Sequence, residues 1–252
     1  MPATTPPASV PPNPFDAGSG LQAVLWDMDG TIVDTEPYWI AAETKLVHAH
    51  GGTWTEEDAL RLVGQALPNS ARMLQEAGVD LPIRDIIDTL TGSVVDEVTK
   101  NVPWRPGARE LLEDLARHGV PCALVTMSEG PLAGLVADAL PEGTFRFLVT
   151  GDMVSKGKPD PEPYLHALRT MAGIVPGLDT LRTVALEDSV PGVASAAASG
   201  ARTIAVPHIT ALPDSGDWTV FPSLAGVSAR ELDDFVRAPR DVPAGQGAGG
   251  AP

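Results

Sequence analysis

The sequence predicts an α/β protein: a doubly wound parallel sheet with an all-helical insertion after its first strand. Three observations predict it. Short apolar runs alternate with stretches of helical periodicity over residues 103–237, the rhythm of parallel β-α-β units. Polar clusters of Asp, Glu, Lys, Thr and Ser follow the apolar runs, where an open parallel sheet binds its ligands. Between residues 35 and 102 the strand signals stop and only helical patterns remain.

Residues 1–20, rich in Pro, Ala, Thr and Ser, read as a disordered tail. They have neither the basic start nor the apolar stretch of a secretory leader. The first strand is expected over residues 22–26, and Asp27-Met28-Asp29-Gly30-Thr31 follows at once. Two carboxylates two residues apart at the mouth of a buried strand are costly unless a cation sits between them. A hard cation such as Mg2+ suits them, since it takes oxygen ligands. The pair also offers a nucleophile beside a proton carrier, and Gly30 permits the sharp turn. An EF-hand loop begins in the same D-x-D way, but it needs Gly at its sixth position and Glu at its twelfth. Ile32 and Tyr38 stand there instead. A solvated acidic turn is the bland reading of the same Asp-Gly pair.

The insertion is expected over residues 35–102, with Thr55 and Asn69 as helix N-caps and Gly51 and Gly78 as stops. The chain re-enters the core at Pro103-Trp104-Arg105-Pro106-Gly107, so residues 21–34 and 103–237 together form the expected core domain. Helices are predicted over 108–118, 131–140, 161–171, 193–199 and 229–237, the last opened by a Ser228/Glu231 capping box. Strands are predicted over 122–126, 145–149, 183–186 and 203–206. Residues 238–252, rich in Pro, Gly and Ala, read as a second tail.

Composition narrows the function. A net charge of −16 argues against nucleic acid and anionic membrane surfaces as partners. No apolar run approaches the roughly 18 residues of a membrane helix. The single cysteine, Cys122, excludes an intramolecular disulfide framework and fits a reducing, cytoplasmic setting. It lies in an apolar run and is expected to be a small core residue. Oligomeric state is not legible.

Three more clusters stand at strand ends. Thr126-Met127-Ser128 offers hydroxyls and backbone N–H groups to an anion. Lys156-Gly157-Lys158-Pro159 holds two of the chain's four lysines, against thirteen arginines, so a compact point charge is retained there. Glu187-Asp188-Ser189 adds two carboxylates. Each has a plain alternative: a β-branched strand end, a surface turn, an acidic helix cap. Together they outweigh those alternatives.

Asp27-Met-Asp29-Gly-Thr, Thr126, Lys158-Pro and Glu187-Asp188-Ser resemble the four motifs of the haloacid dehalogenase superfamily. The likeness extends over nearly everything from Leu21 to Val206. Gly157-Lys158-Pro159-Asp160-Pro161 and Glu187-Asp188-Ser189-Val190-Pro191-Gly192 are similar to the subgroup of β-phosphoglucomutase and small sugar-phosphate phosphatases, which carries a helical cap where the insertion lies here.

The resemblance implies a Rossmann-like core, Mg2+ as cofactor and a small phosphorylated metabolite as partner. It makes Asp27 the nucleophile that forms an aspartyl-phosphate, with Asp29 protonating the leaving alcohol and then activating water. Asp188 is implied as the main further metal ligand beside Asp27 and Asp29, with Glu187 as a direct or water-bridged helper. Lys158 and Thr126 would hold phosphoryl oxygens, and Ser128 would assist through its backbone. Met127 departs from the small or polar residue usual in relatives. Glu36, Gln65, Asn69 and Arg72, in the insertion, are the candidates for touching the rest of the substrate.

The leading expectation is a Mg2+-dependent phosphatase of a small phosphomonoester, a sugar phosphate or one like phosphoglycolate. A phosphomutase is the alternative. It is weakened because Gly64-Gln65-Ala66-Leu67-Pro68-Asn69 lacks the basic residue mutases carry there, though Arg72 is near. A metal-free dehalogenase is opposed by Asp29. A non-catalytic binding module is opposed by the filled catalytic positions.

Overall fold

Six strands form one sheet: β1 (Ala23–Trp26), β2 (Cys122–Val125), β3 (Phe145–Val149), β4 (Thr183–Glu187), β5 (Arg202–Ala205) and β6 (Trp218–Val220). Their spatial order is β3-β2-β1-β4-β5-β6 and every pair is parallel. This computed structural model describes residues 12–15, 20–213 and 215–239.

β1, β2, β4 and β5 are buried at every residue. A strand covered on both faces needs apolar side chains in both directions, which is why these segments read as continuous runs rather than alternating ones. Val24 and Trp26 join one layer with Leu111, Leu112, Leu132 and Leu232, while Ala23 and Leu25 join the other with Tyr164, Ala167, Met171 and Ala196. The covering helices are α5 (Ala108–Arg117), α6 (Gly130–Asp138), α7 (Glu162–Ala172), α8 (Val190–Ala198) and α9 (Ala229–Arg237) in chain order after the insertion.

The insertion supplies α1 (Glu36–Ala49), α2 (Glu56–Leu60), α3 (Leu67–Glu76) and α4 (Ile83–Lys100). They enclose a core of their own around Leu46, Val47, Leu74, Ile86 and Leu90. The two connections to the sheet lie side by side. Asp34 N–H donates to the Pro103 carbonyl (2.7 Å) and Arg105 N–H to that of Ile32 (2.8 Å).

The predicted strands agree with the observed ones to within one residue at either end. β6 was not predicted, because three residues at a half-exposed edge carry little apolar signal. Asn69 is not an N-cap: α3 begins two residues earlier, after Ala66, and Asn69 sits in its first turn. Thr55 does cap α2, in a capping box with Asp58, and Ser228 caps α9 with Glu231. α8 starts at Val190, ahead of the predicted 193, because Ser189 accepts from Gly192 N–H and Pro191 suits a first turn. Inside the expected N-terminal tail, Phe15 is buried against His118. Residues 1–11, 16–19 and 240–252 lie outside the described residues. Cys122 is buried, and burial pushes its thiol up to about 12. Among the described residues no helix is long and apolar enough to cross a membrane.

Candidate active site

The carboxyl ends of β1, β2 and β4 converge at the point where strand order reverses, the usual crevice of a doubly wound sheet. Asp27 leaves β1 with its N–H still bonded to the Leu186 carbonyl (3.0 Å), so the ladder fixes where its carboxylate points. Lys158 Nζ meets it from the loop after β3. That ammonium lies 2.6 Å from Asp27 Oδ1, 2.5 Å from Glu187 Oε1 and 3.0 Å from the Val125 carbonyl. Burial alone would drive the proton off Lys158. The charges of Asp27 and Glu187, and their hydrogen bonds, outweigh it and raise its pKa above the ordinary lysine value.

Glu187 ends β4 at full burial, and Tyr164 OH donates to its Oε1 (2.7 Å). Gly192 makes room for this carboxylate, since a Cβ there would stand 1.8 Å from Oε2. Asp188 follows, buried beside Asp27, and Thr31 Oγ1 donates to its Oδ1 (3.3 Å). Gly30, at φ +88°, passes so near that a Cβ would meet Asp188 Oδ2 at 2.0 Å. A side chain here is excluded both by that contact and by the left-handed backbone.

Burial, then the charge of Glu187, pushes Asp27 up to about 7, against the opposing pull of Lys158. Burial, then Asp27, Glu36 and Glu187, raises Asp188 well above the carboxylate range. One ammonium does not neutralise three buried carboxyls. Asp27 Oδ2 and Glu187 Oε2 have no hydrogen-bond partner, and ligand oxygens of Asp27, Glu187 and Asp188 lie within 4.8 Å of one another. Orphaned oxygens converging in a buried acidic cluster fit a hard divalent cation.

Asp29 is held differently. Oδ1 accepts from Thr35 Oγ1 (2.5 Å) and Trp39 Nε1 (3.2 Å), and Oδ2 from Ser128 Oγ (2.7 Å) and Thr126 Oγ1 (3.2 Å). Two donors come from the loop after β2 and two from the start of the insertion, so one carboxylate ties the two together. Ser128, expected to assist through its backbone, here donates its N–H to Thr126 Oγ1 (3.0 Å) and its hydroxyl to Asp29. Met127 lies against the lysine loop, its sulfur 3.3 Å from the Lys158 N–H.

Asp27, Asp29, Thr126, Met127, Ser128 and Lys158 line the floor of an open cleft of about 650 Å3, roofed by the insertion, while Glu187 and Asp188 are buried and do not line it. Of the four substrate-contact candidates there, Glu36 and Gln65 line the cleft. Asn69 and Arg72 do not. Both are exposed on α3, and Arg72 Nη1 donates to Asn69 Oδ1 (2.9 Å). Sequence reasoning missed Tyr164 and Glu43. A lone tyrosine on an apolar helix face carries no spacing signal. Glu43 did carry one, an acid four residues after Trp39 on the buried face of α1.

A family model for haloacid dehalogenase-like hydrolases matches residues 24–206. A phosphorylated carbohydrates phosphatase of Thermotoga maritima is 32% identical over 189 residues, covering 73% of this chain and 84% of that protein. Hexitol phosphatase A of Escherichia coli is 32% identical over 190 residues, covering 72% and 81%. A crystal structure of CbbY from Rhodobacter sphaeroides in complex with phosphate superposes with a TM-score of 0.73 at 28% identity, covering 84% of this chain and 99% of that one.

Proposed function

From the chain's membership of the haloacid dehalogenase-like hydrolases, we propose that it is a Mg2+-dependent phosphatase of a small phosphomonoester of sugar-phosphate type, acting through an aspartyl-phosphate on Asp27. One observation carries the reading: a buried carboxylate with a free oxygen, pinned by a lysine, beside a second carboxylate at the mouth of a cleft.

Asp27 attacks phosphorus and the bond to the alcohol oxygen breaks, while Asp29 supplies that oxygen with a proton. Water then attacks the phosphorus of the aspartyl-phosphate, Asp29 takes its proton, and phosphate leaves with the Asp27 carboxylate restored. Lys158 holds Asp27 in aim and offsets charge on the phosphoryl group. Thr126 and Ser128 orient Asp29 from the core side; Thr35 and Trp39 do so from the insertion. Asp27, Asp188 and Glu187, with Asp29, would hold the cation, which when bound stabilises negative charge on the transferring group. Residues 35–102 act as a cap over the core formed by 21–34 and 103–237, with Asp34-Thr35 and 103–107 as hinges whose closure excludes water.

The test is phosphate release from a panel of phosphomonoesters with and without Mg2+, run beside Asp27→Asn. Release that needs Mg2+ and is lost in the variant is expected. Undiminished release by Asp27→Asn refutes the nucleophile.

A further inference from the structure

The roof of the cleft holds an unused acid. Glu43, on α1, lines it and is 5% exposed, and its Oε2 has no hydrogen-bond partner. The indole of Trp54 approaches this carboxyl without reaching full hydrogen-bond geometry. Around it the roof is apolar, built from Trp39, Ile40, Leu62 and Leu67. Glu36, the other buried glutamate on α1, belongs instead to the floor, beside Asp188 and with its Oε2 3.9 Å from His208 Nε2.

No cationic side chain among the described residues lines the roof around Glu43. Lys158 is the one cationic side chain among the described residues that line the cleft, and it is already engaged by Asp27 and Glu187. The start of α3, beside Gln65, offers little to an anion either. Pro68 has no N–H, and those of Asn69 and Ser70 point to the Ala66 carbonyl.

Resting on the phosphatase reading above, we infer that the cleft selects phosphomonoesters whose body is uncharged and hydroxylated, that Glu43 hydrogen-bonds a hydroxyl of that body, and that substrates bearing a second anionic group are rejected. A second phosphate or a carboxylate at this end would lie beside Glu43 among apolar side chains with no counter-charge, so the loss of its water opposes binding. A hydroxyl is the better match. Burial keeps Glu43 protonated up to about 8, so at neutral pH it presents one O–H donor and one acceptor, the complement of an alcohol. Trp39, Ile40 and Leu62 then cover the C–H surface of the same body. The inference opposes a mutase, which must grip a bisphosphate.

The experiment compares kcat/KM for glucose 6-phosphate, glucosamine 6-phosphate, 6-phosphogluconate and glucose 1,6-bisphosphate in saturating Mg2+, with p-nitrophenyl phosphate alongside. Glucose 6-phosphate should exceed both doubly anionic substrates by about tenfold or more. Either anionic substrate matching it overturns the inference. An about tenfold lead for the amino sugar that Glu43→Gln erases also overturns it, since Glu43 would then be an ionised partner for ammonium. Silence on every ester, p-nitrophenyl phosphate included, defeats the phosphatase reading and this one with it.

Glu43→Ala should lower kcat/KM for glucose 6-phosphate about tenfold more than for p-nitrophenyl phosphate, with Glu43→Gln restoring it to within about threefold of wild type. Equal losses on both esters, or no rescue by Gln, remove Glu43 from substrate contact. The folded state of each variant is checked by its melting temperature.

Discussion

The two ends of the cleft handle their carboxyls in opposite ways. At the floor, Asp29 accepts from four donors and Asp27 and Glu187 share the Lys158 ammonium. At the roof, Glu43 sits among apolar side chains with an oxygen left over. Burial is the first cause of the raised pKa at Asp27, Glu36 and Glu43 alike, but a fixed cation opposes it only at Asp27. The contrast teaches where charge can develop. The floor is preorganised for a charged, changing phosphoryl group, and the roof for a body whose charge does not change.

The largest test of that division is Asp27→Asn. Turnover should fall by about three orders of magnitude or more, because an amide cannot attack phosphorus. Folding should survive, since the change removes a negative charge from a crowded acidic cluster. Activity assays beside thermal melts check both halves.

Lys158→Ala should strike the floor twice. It removes the cation for every substrate, so kcat/KM should fall across a panel without reordering it. It also strands Asp27 and Glu187, a loss of about 3–5 kcal/mol of stability by analogy with broken buried pairs. Denaturant titration measures the second effect.

Removing metal addresses the floor without mutation. Excess chelator should abolish turnover, and Mg2+ should raise the melting temperature of the wild type, as any ligand of the folded state does. Ca2+ should bind yet support little activity, because it accepts more oxygens at longer distance and admits a misaimed carboxylate. A chelator-resistant enzyme would erase the contrast between the ends.

The roof supplies a sharper pair. Gln65→Ala should reorder a substrate panel, while Arg72→Ala and Asn69→Ala, on the exposed face of α3, should leave the ranking as it is. Reordering by Arg72→Ala would bring the exposed face of α3 into recognition.

The smallest expected effect is a pH slope. Glu43 has a folded pKa of about 8, above the ordinary glutamate value, so its contribution to stability is full under acid conditions and is lost as pH rises toward that value. Between about pH 5 and about pH 9 the wild-type melting temperature should therefore drop by a few degrees more than that of Glu43→Gln, which has no proton to lose.

Much of the floor was legible because its chemistry is local in sequence. A carboxylate directly after a buried strand goes where the strand ends, so the positions of Asp27 and Glu187-Asp188 follow from apolar runs alone. Lys158 was legible for a compositional reason, as one of two lysines in a loop of a lysine-poor chain. The roof was harder. Gln65 and Asn69 are equally polar and four residues apart, yet one lines the cleft and the other faces solvent. That depends on where α3 begins, which Pro68 and Ala66 decide and the Asn69 cap signal misreports.

By itself the sequence determined the sheet, the insertion and the acidic strand ends, because each is written in the periodicity and order of neighbouring residues. Only the tertiary structure decided that Tyr164 steadies Glu187, that Asp29 links core and insertion, and that Glu43 faces the cleft without a partner. The Tyr164–Glu187 and Ser128–Asp29 bonds join side chains far apart in the chain. Their pairing, and the absence of a cation among the described residues of the roof, arises only when the insertion folds over the sheet and excludes water from what lies between.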